Sequence, residues 1–131
     1  MTYYHSQVLK FRELYTPNDH IMGQIIMGKN FMDENFCEDI NISQVASCSC
    51  FSMYHFIRLF KNSYGITPLQ YIREKRMAMA MQLLDNGVSV TETCFRIGFL
   101  SQPSFSILFK KYSGKSPADY KNSNFQYGQS L

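Results

Sequence analysis

The chain repeats itself once, and that repeat limits what it can fold into. Phe56-Ile57-Arg58-Leu59-Phe60-Lys61 lies over Phe105-Ser106-Ile107-Leu108-Phe109-Lys110 at an offset of 49 residues. At the same offset Ser52 meets Ser101, Gly65 meets Gly114, Pro68 meets Pro117 and Tyr71 meets Tyr120. Upstream, Cys50-Phe51 pairs with Gly98-Phe99 after a slip of one residue. Fixed-period self-similarity marks repeated supersecondary units, and two copies are too few for a solenoid. The fold must hold two similar small units.

Both copies carry helical spacing, and alternation of apolar with polar residues is scarce. Each copy reads as a short helix, a tight turn and a second helix. In the first, residues 43–49 form the short helix with Val45 and Ala46 inward. Cys50-Phe51 makes the turn, and the hydroxyl of Ser52 caps the second helix, which stops before Gly65. In the second, residues 91–97 form the short helix, Gly98-Phe99-Leu100 the turn, and Ser101 the cap of a helix over 102–112. Pro103 falls in its first turn, where a missing N–H costs little. Between the copies, residues 69–85 are rich in helix formers and predict a connecting helix, with Ile72, Arg76, Met79 and Leu83 on neighbouring faces.

Residues 21–35 predict a further helix that buries Ile25, Ile26, Phe31 and Met32, although Gly23 and Gly28 weaken it. Residues 1–20 form an extension in which Val8 to Tyr15 suits a short helix before a turn at Thr16-Pro17-Asn18-Asp19. Residues 122–131 hold no charge and read as a loose tail. The expected class is all-α, homeodomain-like, with a first helix-turn-helix unit over 21–68, a connecting helix over 69–85 and a second unit over 86–121.

At ~100° per residue, Phe56, Leu59 and Phe60 share one face of the first capped helix, and Tyr54, Arg58 and Lys61 the other. The same turn puts Phe105, Leu108 and Phe109 inward and Pro103, Ile107 and Lys110 outward. A surface helix with a solvated front would look the same in isolation. The charge distribution adds a direction. Residues 1–51 carry Lys10, Arg12 and Lys29 against six acids, whereas residues 52–131 carry ten basic residues against Glu74, Asp85, Glu92 and Asp119. A basic part on a less basic body suits a polyanion. Lys61, Lys110 and Lys111 are candidates for phosphate, with Arg73, Arg76, Arg96 and Lys115 as weaker ones.

The run over about 40–121 resembles the DNA-binding domain of the AraC/XylS family of bacterial regulators. The resemblance rests on VASCSCFSMYHFIRLFK, YGITPLQYIREKRM and VSVTETCFRIGFLSQPSFSILFKKYSGKSPADYK. The last is the most specific, through Gly98-Phe99, Ser104-Phe105-Ser106, Phe109-Lys110, Gly114, Ser116-Pro117 and Tyr120. It implies two helix-turn-helix units that put recognition helices into successive major grooves of double-stranded DNA. It also implies transcriptional control, most often activation through RNA polymerase. Base-reading positions carried over from the family are Tyr54, Ile57 and Arg58, then Gln102, Pro103 and Ile107. The chain departs from the pattern in two places. Cys50 stands at a turn position usually held by glycine, where a positive φ would strain it. Ile107 stands where arginine is common, so the second unit lacks a guanidinium for guanine and offers an apolar contact, as to a thymine methyl. That unit is expected to hold DNA through Lys110, Lys111 and the amides at its helix start.

Other classes fit less well. A helical module that docks an acidic protein is the alternative. No acid/base pair, phosphate loop or nucleophile–histidine spacing suggests an enzyme, and no cofactor is expected. A repair methyltransferase can carry the same helical module, but a zinc cysteine set is not present. Cys37, Cys48, Cys50 and Cys94 read as reduced thiols acting as small apolar residues, with no metal site. No apolar run approaches the ~20 residues of a membrane span, and residues 1–14 lack a secretory pattern, which predicts a cytoplasmic protein. Residues 1–39 are too few for a β-barrel sensor ahead of the match, so the expectation is either a single-domain regulator or a fragment of a longer one.

Overall fold

A computed structural model describes residues 19–129, with side chains to residue 123. The short helix expected around Val8 to Tyr15 lies outside the described residues. Those described form seven helices and no strand: α1 (Asp19–Asn35), α2 (Ile42–Cys48), α3 (Met53–Tyr64), α4 (Pro68–Asp85), α5 (Val90–Arg96), α6 (Gln102–Ser113) and α7 (Pro117–Gln129). They group into two compact units, one ending at Arg73 and the other starting at Glu74. The boundary falls inside α4, so the connecting helix lends its first turns to one unit and the rest to the other.

In the first unit, Ile25 and Met32 of α1, Val45 and Ala46 of α2, and Phe56 and Phe60 of α3 are essentially fully buried. Tyr71 and Ile72 of α4 complete this core. Ile26, expected inside, is 41% exposed. Adjacent helix positions point ~100° apart, and Ile25 already fills the inward one. Gly28 has a packing role. A Cβ there would stand 2.6 Å from Cε2 of Phe56, so only glycine lets α1 approach α3 this closely. Asp33 ties α1 to the start of α4. It accepts a hydrogen bond from the Tyr71 hydroxyl, and Lys29 Nζ lies 3.0 Å from its other oxygen.

In the second unit, Met77, Ala80 and Leu84 of α4 pack with Cys94, Ile97, Phe105 and Phe109. Met79 and Leu83, expected on neighbouring faces of this helix, are only partly buried. The segment read as a loose tail is helical as far as Gln129, because α7 continues through it. Among the cysteines, only Cys94 is buried, and its thiol donates a hydrogen bond to Phe99 O at 3.7 Å. Its burial pushes its thiol pKa up, while Cys48 and Cys50 are exposed and Cys37 is half-buried. None of the four is in a disulfide.

The repeat survives into ring geometry. The Phe56–Phe60 and Phe105–Phe109 centroids are both 5.6 Å apart. Phe60 meets Tyr71 edge-on at 5.6 Å, and Phe109 meets Tyr120 edge-on at 5.4 Å. Matching residues therefore keep matching backs on α3 and α6.

Candidate nucleic-acid interface

Each unit positions its front helix by a turn with defined hydrogen bonds. After α2, the Cys50 N–H donates to Ser47 O and the Phe51 N–H to Ala46 O, each at 3.1 Å. After α5, Gly98 donates to Phe95 O at 3.2 Å and Phe99 to Cys94 O at 3.1 Å. This pair of bonds is the Schellman arrangement, which satisfies helix-end carbonyls and needs a left-handed residue. Gly98 supplies it at φ 88°, and Cys50 is held at φ 62°. The strain anticipated for Cys50 is thus present.

Serine caps follow. Ser52 Oγ accepts from the His55 amide at 3.3 Å, and Ser101 Oγ from the Ser104 amide at 3.4 Å. The left-handed Gly65 and Gly114 close the two helices with matching bonds to Lys61 O and Lys110 O. One difference breaks the symmetry. Ser52 follows Phe51 directly, whereas Leu100 intervenes between Phe99 and Ser101.

The front of α3 is a stripe at i, i+3, i+4 and i+7, the spacing of one helix face. Tyr54 is 77% exposed, Arg58 and Lys61 are exposed, and Ile57 is half-buried beside them. On α6, Gln102, Pro103 and Lys110 are exposed and Ile107 is 71% exposed. Lys111 is also exposed, one position further around. The amides at the start of α6 offer less than expected. Pro103 has none and that of Ser104 is held by the cap, which leaves Gln102.

The weaker basic candidates are dispersed. Arg73 is exposed near the start of α4. The Arg76 guanidinium is half-buried over the Phe99 ring, 5.8 Å from its centroid. Arg96 donates to Glu92 at 2.9 Å within α5, and Lys115 to the Ser123 hydroxyl at 3.3 Å. These three already have a protein partner.

The exposed apolar residues outside the sequence-derived site include Met53 at 50%, Phe95 at 77% and Leu100 at 97%. Met53 was within reach, since the 49-residue offset pairs it with Gln102. No group of three or more potential metal ligands occurs among the described residues. No helix among them is long and apolar enough to cross a membrane.

The profile of a family described as a helix-turn-helix domain matches residues 45–123, which takes in α3, α6 and both turns. The chain belongs to the AraC-type helix-turn-helix family. A probable transcriptional regulator, LumQ of Photobacterium leiognathi, is 31% identical over 98 residues, covering 74% of this chain and 40% of LumQ. The DNA-binding domain of AdpA, solved in complex with a target DNA, superposes with a TM-score of 0.72 at 28% identity. That match covers 76% of this chain and 90% of that one. A regulator of AraC type from Chromobacterium violaceum superposes with a TM-score of 0.70 at 25% identity, covering 82% and 96%. The chain spans less than half the length of LumQ, so this family membership describes its helical domain.

Proposed function

We propose that the chain is the sequence-specific, double-stranded-DNA-binding part of a bacterial transcription regulator that acts in the cytoplasm. The observation that carries this reading is the paired design of α3 and α6. Each has a Schellman turn, a serine cap, an aromatic back and an exposed front ending in lysine. A capped helix with short or planar groups at its start and a cation at its end suits the major groove. Its first turns meet base edges, and its lysine meets phosphate.

In this reading Tyr54, Ile57 and Arg58 contact bases in one groove, and Gln102, Pro103 and Ile107 in the next. Lys61, Lys110 and Lys111 bind phosphate, with Arg73, Arg76, Arg96 and Lys115 as secondary contacts. Arg76, Arg96 and Lys115 would each exchange a protein contact for a phosphate. Activation through RNA polymerase is the mode of control that the family resemblance implies, and transcription from a template bearing the bound site, with and without the protein, tests it. No catalytic role is proposed.

The deciding experiment is selection of bound sequences from random duplex DNA, followed by affinity measurement against competitor DNA across salt concentrations. A recovered motif spanning two successive grooves, with affinity that falls steeply as salt rises, is expected. Binding that ignores sequence and is displaced equally by any polyanion would favour a module for acidic partners instead.

A further inference from the structure

The two fronts differ in kind, and the difference is concentrated at paired positions. Where α3 presents the phenol of Tyr54, α6 presents Pro103. Where α3 presents the guanidinium of Arg58, α6 presents Ile107, which is 71% exposed. The second turn also carries the extra residue Leu100, which is 97% exposed one position before the cap of α6. Proline and isoleucine side chains can neither donate nor accept a hydrogen bond, and Leu100 adds a third apolar group beside the same helix start. Lys110 lies on the same face as Ile107, one turn further on.

A DNA major groove offers such a surface one apolar group, the C5 methyl of thymine. Phosphates flank it on both sides, which matches the lysine beside the apolar row. An apolar front facing any other base edge would bury polar groups without compensation. We propose that Leu100, Pro103 and Ile107 form a thymine-methyl-reading surface, so that the second unit recognises its half of the site mainly through methyl groups. This rests on the DNA-binding reading above and names the chemistry by which α6 discriminates.

The test removes only the methyl. In the selected site each thymidine is replaced singly by deoxyuridine, which keeps every hydrogen-bonding group. Affinities are measured by fluorescence anisotropy at one salt concentration with the full chain. Burying one methyl is worth ~0.8 kcal/mol, or roughly fourfold in affinity. At one or two thymines the replacement should weaken binding about fourfold. Those same losses should shrink or vanish in Ile107→Ser or Leu100→Ser, with the salt slope unchanged. Both side chains are exposed, so the variants should keep the helical circular-dichroism signal. If one does unfold, the other carries the test. Specific binding with a flat deoxyuridine profile overturns this inference and leaves the proposed function standing. A profile that neither substitution alters also overturns it, and returns the apolar row to a protein partner. Absence of any sequence-specific binding overturns both readings.

Discussion

Replacing Cys50 by glycine should stabilise the first unit by relieving backbone strain in its turn. Cys50 is the one described non-glycine residue at positive φ, at 62°, in a turn whose counterpart is glycine at 88°. A left-handed conformation costs an L-residue roughly 1–2 kcal/mol. Glycine relieves that cost but gives the unfolded chain more freedom, a loss of roughly 0.5–1 kcal/mol. The thiol is exposed, so little packing is lost. The net gain is about 0.5–1 kcal/mol. For a domain of this size that is a rise in Tm of roughly 2–8 °C. The assay is urea unfolding followed by circular dichroism, with the midpoint rising and the slope unchanged. Cys50→Ala is the control, since it removes the thiol and keeps the left-handed strain. Gly98→Ala should shift the second unit in the opposite direction by a similar amount. If Cys50→Gly is no more stable than Cys50→Ala, strain in the turn is not what the cysteine costs.

Four further outcomes are expected. Gly28→Ala should lower the urea midpoint by the equivalent of ~1–3 kcal/mol, the cost of overpacking a core, because its Cβ would meet the Phe56 ring at 2.6 Å. Gly23→Ala on the same helix meets open space and should stabilise by up to ~1 kcal/mol; equal effects would refute the packing role of Gly28. Lys110→Ala should weaken binding to all sequences alike and flatten the salt slope by about one unit, and a changed base preference at an unchanged slope would contradict a phosphate contact. Replacing Cys48 and Cys50 by serine should leave DNA affinity insensitive to oxidant and chelator, as in the parent chain; an oxidant response in the parent that the double variant loses would reveal a sensor. Arg58→Ala should relax base preference at one or two positions by ~1–3 kcal/mol, more than Ile107→Ala does at any, and the reverse order would overturn the division of labour between α3 and α6.

The parts legible in the sequence are those set by chemistry over a few residues. Ser52, Ser101, Gly65 and Gly114 announce helix ends because a cap needs only a hydroxyl or a left-handed residue at the right place. The fronts of α3 and α6 follow from the helical period. Small errors have equally local causes. The first short helix begins at Ile42 because Asn41 and Gln44 form a reciprocal capping box, with both bonds at 2.9 Å. The second begins at Val90 because the Ser89 hydroxyl caps it. The uncharged stretch after residue 121 looked loose, but charge does not decide helicity. The Ser116 hydroxyl caps the start of α7 by accepting from the Asp119 amide, and propagation needs only one bond per added residue. The pairing of Arg96 with Glu92 was visible as an i, i+4 spacing. The stacking of Arg76 on Phe99 was not, because it joins residues on separate elements that only the packed unit brings together.

The pattern of divergence between the two copies is itself informative. Phe56 and Phe105, Phe60 and Phe109, and Tyr71 and Tyr120 are unchanged in kind, and their ring separations agree within 0.2 Å. Close packing explains this, since a core filled by one aromatic set tolerates few others. The exposed partners Tyr54 and Pro103, and Arg58 and Ile107, share nothing. Nothing in the fold requires their identity, so they are free to differ with what each helix faces. The lysines at 61 and 110 are kept in both copies, as expected if both helices meet the same uniform backbone of charge. The residues between cap and lysine differ, as expected if each helix meets a different stretch of sequence.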